Sequence, residues 1–133
     1  MTIHLRVTAG EYELLLESAS VRGVSEAGGA AAWADRELPR LDLTLTLGGA
    51  PVRADGAIIL YAAGDGDEQA ITLVVDEVKG LVTLGAQALV RLPAISARFG
   101  QLFDAIAVEP IEGHHPLRLR PRLDLQAIGR EDA

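Results

Sequence analysis

Two adjacent acids, Asp76 and Glu77, close the apolar stretch "ITLVV" and precede a second apolar stretch, "VKGLVTL". Neighbouring carboxylates can serve as a metal site or an acid/base pair. Both uses need the two groups to face one bond or one ion. Successive side chains on a strand point to opposite faces, so a strand running through both acids keeps them apart. A turn is the other expectation, with Asp accepting from backbone N–H groups. "GDGDE" at 64–68 resembles the start of a calcium loop. Counted from Asp65, however, the sixth position is Ala70 and the twelfth is Asp76, where such a loop needs Gly and a bidentate Glu. His114 and His115, between Gly113 and Pro116, are adjacent and lack further ligands in sequence, which fits an exposed turn better than a metal centre. His4 reads as isolated on the polar face of its strand. No serine elbow, Walker loop or dinucleotide fingerprint occurs, and Ser18, Ser20, Ser25 and Ser96 lack flanking glycines in that pattern. No catalytic constellation emerges, and no cofactor or metal is expected.

Arg118, Arg120 and Arg122 alternate with leucines and form one basic stripe if that strand runs on. Such a stripe either blocks edge-to-edge pairing or meets an acidic partner. The whole chain carries a net charge of −7, which disfavours nucleic acid and anionic membrane as partners. It contains no cysteine, which excludes disulfides, thiolate catalysis and Cys-ligated metal. His4 and Arg6 interrupt any signal-type apolar segment at the start, and no run approaches the ~20 apolar residues of a membrane span. The expected address is the bacterial cytoplasm.

The elements that must position these residues are strands. The 133 residues suffice for one ordinary domain, and 49% are hydrophobic but only 4% aromatic, so aliphatic side chains must fill the core. Ile3, Leu5 and Val7 alternate with polar residues, Ala9-Gly10-Glu11 reads as a turn, and Tyr12, Leu14 and Leu16 alternate again. Residues 17–24 have room for one short helical turn. Leu41, Leu43, Leu45 and Leu47 alternate with Asp42, Thr44 and Thr46, which predicts a strand with all four leucines on one face. Residues 57–63 and 70–78 read as a central hairpin, 81–84 as a short strand, and 103–108 and 117–125 as two more. Residues 93–100 read as loop with a turn of helix, and 126–132 as a polar tail. Many short strands with frequent turns and no long amphipathic helix predict an all-β barrel or sandwich.

In order and spacing these segments resemble the CheW-like domain family. "AIILYAAGDGDEQAITLVVDEVKGLVTL" resembles that family's central hairpin, with Val75-Asp76-Glu77-Val78 at its Val-Asp-x-Val segment. "LPRLDLTLTLG" resembles its Pro-containing strand through Pro39, Asp42 and Leu43. "YELLL" resembles its early strand, and "HPLRLRPRLDLQAI" its last, through Leu123-Asp124-Leu125. The resemblance implies an all-β fold of two packed SH3-like β-barrel subdomains with one or two short helices. The middle of the chain would form one barrel and both ends the other, as a single domain over residues 1–133. It also implies a non-enzymatic adaptor, coupling a CheA-like histidine kinase regulatory domain to chemoreceptors, without a small-molecule substrate. The chain departs from the family where Asn-Leu-Arg-Gly usually precedes the Pro-containing strand: Ala32-Trp33-Ala34-Asp35 stands there, with Arg36 one position beyond. Gly23 occupies a place where the family often has Glu. Partner contacts are therefore expected from Trp33, Asp35 and Arg36, with Arg40 after the proline and Val21 and Val24 after the first helical turn. Trp33 is equally suited to filling a barrel core. Beside the adaptor stand two rivals, a CheW-fold module with other partners and a small ligand-binding or enzymatic barrel with a deep polar pocket.

Overall fold

A computed structural model describes residues 1–25, 40–47, 56–62, 70–92 and 101–123. Trp33, Asp35, Arg36, the "GDGDEQ" turn, residues 93–100 and the 126–132 tail lie outside the described residues. So do the final positions of the 117–125 segment.

The described elements are almost all strands: β1 (Thr2–Ala9), β2 (Tyr12–Glu17), β3 (Val21–Ser25), β4 (Arg40–Asp42), β5 (Ala57–Ala62), β6 (Ala70–Val75), β7 (Glu77–Leu84), β8 (Leu89–Arg91), β9 (Phe103–Ala107) and β10 (Leu117–Leu119). Beside them stand a 3-10 turn at Ser18–Ser20 and one helical turn, α1 (Leu43–Thr46), and residues 101–102 are helical just ahead of β9. They form a six-stranded sheet ordered β7-β1-β2-β10-β9-β8 and a four-stranded sheet ordered β3-β5-β6-β4. Most neighbours are antiparallel, but β10 runs parallel to β2 and β4 parallel to β6.

The β1–β2 hairpin follows the alternation in the sequence. Ala9 pairs with Tyr12, and Gly10 takes a left-handed backbone (φ 62°) that few other residues tolerate. Leu5, Val7, Leu14 and Leu16 point into a core shared with Ile59, Tyr61, Ile71 and Leu73 of the other sheet. β5 is apolar without interruption because both its faces are covered: Ile59 and Tyr61 face the core, while Leu60 and Ala62 are buried on the reverse side. The Tyr61 hydroxyl donates to the Arg120 carbonyl at 3.1 Å, satisfying a buried polar tip.

The chain passes between the sheets at two described corners. The 3-10 turn carries it from β2 to β3, and the bend at Asp76 carries it back from β6 to β7. Strands that change sheets commonly do so at such bends. The expected return strand over 70–78 is therefore two strands in two sheets, and the expected short strand at 81–84 is the end of an eight-residue one.

The leucine alternation at 41–47 misleads. Only Arg40–Asp42 is strand, and the next four residues turn into helix. Asp42 is the reason, since its carboxylate accepts from the Leu45 N–H at 3.0 Å and caps the turn. A helical turn places Leu43 and Leu47, four apart, on one side. Leu43 is fully buried and Leu47 packs against the core, whereas Leu45 is 54% exposed.

Candidate functional site

Asp76 and Glu77 diverge. The Asp76 Oδ2 accepts from the Gly10 N–H at 2.5 Å and lies 3.3 Å from the Thr44 hydroxyl, and its own N–H donates to the Thr8 carbonyl at 2.9 Å. One residue thus ties the β1–β2 turn, α1 and the sheet-changing bend together. Glu77 turns away and pairs with Lys79 at 3.5 Å on the surface. The acid pair is a corner joint, without a shared reaction centre.

His114 and His115 are exposed at a tight turn closed by Ile111 and His114, and His115 Nδ1 lies 3.0 Å from the Ala107 carbonyl. Among the described residues no group of three or more metal-ligating side chains converges. An open groove of about 540 Å³ lies between the β7–β8 and β9–β10 connections. Leu84, Ala107, Val108 and Ile111 supply its apolar walls, Gln87 adds a neutral amide, and Glu109 is the titratable residue in its lining.

The basic stripe does not form. β10 ends at Leu119, and Arg122 has a left-handed backbone (φ 54°), so the three arginines do not share one strand face. β10 is also an inner strand, flanked by β2 and β9, and has no edge to protect. Arg118 instead forks onto Asp104 of β9 through two hydrogen bonds of 2.9 and 2.7 Å, which raise its pKa. Arg6 makes the matching contact on β1: its Nε donates to Glu13 at 2.7 Å and its Nη2 to Glu112 at 2.9 Å. The latter bond lowers the Glu112 pKa. Glu112 itself sits at φ 50°, in the loop that this arginine holds against the sheet. Local sequence does not show the Glu112 contact, because the β9–β10 connection brings it to Arg6 from 106 residues away.

His4 departs furthest from expectation. It is fully buried, as is Leu15 on the same sheet face, although Arg6, Thr8 and Glu17 on that face are only partly covered. Neither ring nitrogen has a hydrogen-bond partner. Burial lowers its pKa below the usual 6.5; the Thr2 backbone acts in the opposite direction, although its geometry falls short of a hydrogen bond.

The expected contact residues that are described do not converge. Val21 and Val24 lie on β3 and Arg40 on β4, the two outer strands of the four-stranded sheet. Three strand spacings of about 4.8 Å separate them by about 14 Å. A register shift after Val21 places Val21 opposite Tyr61 and Val24 opposite Ile59, so both valines side with the core face. Val21 packs on the core, while Val24 at the rim is 39% exposed. Arg40, opposite Thr72, is exposed. What β3 offers is an outer strand, paired among the described residues only with β5, carrying one exposed valine and one exposed arginine, Arg22.

Two sheets, exchanged at a 3-10 turn and a one-residue bend around an aliphatic core, define an all-β fold of the CheW-like type. The fold matches the crystal structure of the scaffolding protein CheW from Thermoanaerobacter tengcongensis with a TM-score of 0.67, over 91% of this chain and 90% of that one, at 14% sequence identity. No family model matches the sequence, and no curated protein sequence matches it.

Proposed function

We propose that the protein is a non-enzymatic adaptor of a bacterial chemosensory or related two-component system, working in the cytoplasm as a single CheW-like domain over residues 1–133. Its partners are the regulatory domain of a CheA-like histidine kinase, a chemoreceptor, or both. The observation that carries this is the shared fold with a CheW scaffold across nine tenths of both chains. The described residues add support: Asp76 is used in a corner joint, Asp104 in a clasp and the His114-His115 pair in a turn, and the open groove between the β7–β8 and β9–β10 connections lacks converging polar groups.

Contact with partners is assigned to Val24 and Val21 on β3, Arg40 on β4, and Trp33, Asp35 and Arg36 in the segment that joins these strands. Aromatic and Arg side chains carry most interface energy, which favours Trp33 as the anchor. The altered Asn-Leu-Arg-Gly position favours a second reading, a CheW-fold module that meets a different kinase or receptor, or competes for one.

Affinity capture from the native host, with the wild-type chain and with Trp33→Ala and Val24→Glu, tests both. Recovery of a histidine kinase or receptor, reduced by either folded variant, supports the adaptor. Recovery of other signalling proteins selects the second reading. If neither a kinase, a receptor nor any other signalling protein is retained by the wild type, the adaptor is refuted.

A further inference from the structure

His4 is fully buried with two unpartnered ring nitrogens; among the described residues the Gln101 side-chain oxygen is the other buried polar atom without a partner. Its surroundings show what a proton would do there. On β2 it lies directly opposite Glu17, and on β7 opposite Val82. Glu77 and Lys79, farther along β7, pair with each other. Arg6, two residues along β1, is held by Glu13 and Glu112. Arg118 of β10 and Asp104 of β9 also act on His4, but they are committed to each other. Glu17 is different, since among the described residues it forms no ion pair, and opposite residues of a ladder share one face. Glu17 is also the last residue of β2, and it leads straight into the 3-10 turn and then β3. That turn packs against β1 and has no side-chain cap to fix it.

We propose that His4 is a proton-operated device: on acidification it becomes a buried cation, draws the Glu17 carboxylate toward itself, and shifts the 3-10 turn and outer strand β3 that follow. A buried charge without a partner is costly, and Glu17, directly opposite on β2, is an acid without an ion pair among the described residues. Movement of Glu17 passes directly into the backbone of residues 18–25, because no flexible linker intervenes. The coupling is a property of the fold and is independent of any partner assigned to β3.

Nuclear magnetic resonance titration of the full chain from pH 7.5 to 5 tests this, following the imidazole signals and backbone amides. His114 and His115, both exposed, serve as internal references. The His4 ring should titrate with a midpoint below 6.5, and the amides of residues 18–25 should move with that midpoint. His4→Phe should abolish those amide shifts, and Glu17→Gln should lower the His4 midpoint further while releasing β3 from it. A His4 midpoint at or above 6.5 overturns the proposal. So do static amides at 18–25, or amides that move equally in His4→Phe. If His4→Phe does not fold, His4→Gln replaces it under the same criteria, and the Glu17→Gln comparison stands by itself.

Discussion

Replacing Asp76 tests whether the acid pair is a joint. Asp76→Ala removes the acceptor for the Gly10 N–H at 2.5 Å and the longer contact to Thr44 at 3.3 Å. A hydrogen bond to a charged group contributes about 1.5–3 kcal/mol net. Asp76 is exposed, so water replaces part of the lost bond, and the Thr44 contact is long. The sum should be about 2 kcal/mol. For a chain of this size each kcal/mol moves the unfolding midpoint by about 4 °C, giving a fall of about 8 °C. Asp76→Asn keeps a neutral acceptor of roughly half the strength and should cost about 1 kcal/mol. Glu77→Ala loses only a surface ion pair and should stay within about 0.5 kcal/mol. Thermal and urea unfolding followed by circular dichroism give all three values. The reasoning fails if Glu77→Ala costs as much as Asp76→Ala, or if Asp76→Ala changes stability by less than about 0.5 kcal/mol.

Three further outcomes are expected. Leu43→Ala should cost about 2–5 kcal/mol and Leu45→Ala about 0.5 or less, whereas equal costs would restore the strand expected from their alternation. Gly10→Ala should destabilise by about 1–2 kcal/mol, because its backbone is left-handed and a new Cβ would stand 3.3 Å from the Thr44 methyl; unchanged denaturant unfolding would contradict this. Asp104→Ala leaves Arg118 part-buried without its fork and should cost about 1–3 kcal/mol, and the double change Asp104→Ala with Arg118→Met should recover part of that in a double-mutant cycle.

The β1–β2 hairpin and its turn at Gly10 could be read from alternation and turn chemistry, and the β5–β6 pair from two apolar runs of strand length. At 41–47 the same signal failed. Leucines at every second position contain an i, i+4 pair as well as a period of two, and the deciding group was the Asp42 carboxylate, a local cap. The failure at His4 has a different origin. A polar residue between apolar ones marks a solvated face only when nothing covers that face. Here Leu15 opposite Arg6, and Glu112 reaching in from 106 residues away, show that the reverse of the sheet is partly covered too. That cover depends on contacts far apart in sequence, which local patterning does not encode.

The same long-range dependence sets the consequence for stability. The His4 pKa is lowered in the folded state relative to 6.5, so the unfolded chain binds the proton more readily. The stability present with neutral His4 above 6.5 must therefore decline as pH falls through 6.5 toward the folded value. His4→Phe, which has no ring nitrogen to protonate, should flatten that decline between pH 7 and 5 as measured by urea unfolding. An equally steep decline in the variant would move the acid sensitivity to the carboxylates and remove His4 from the account.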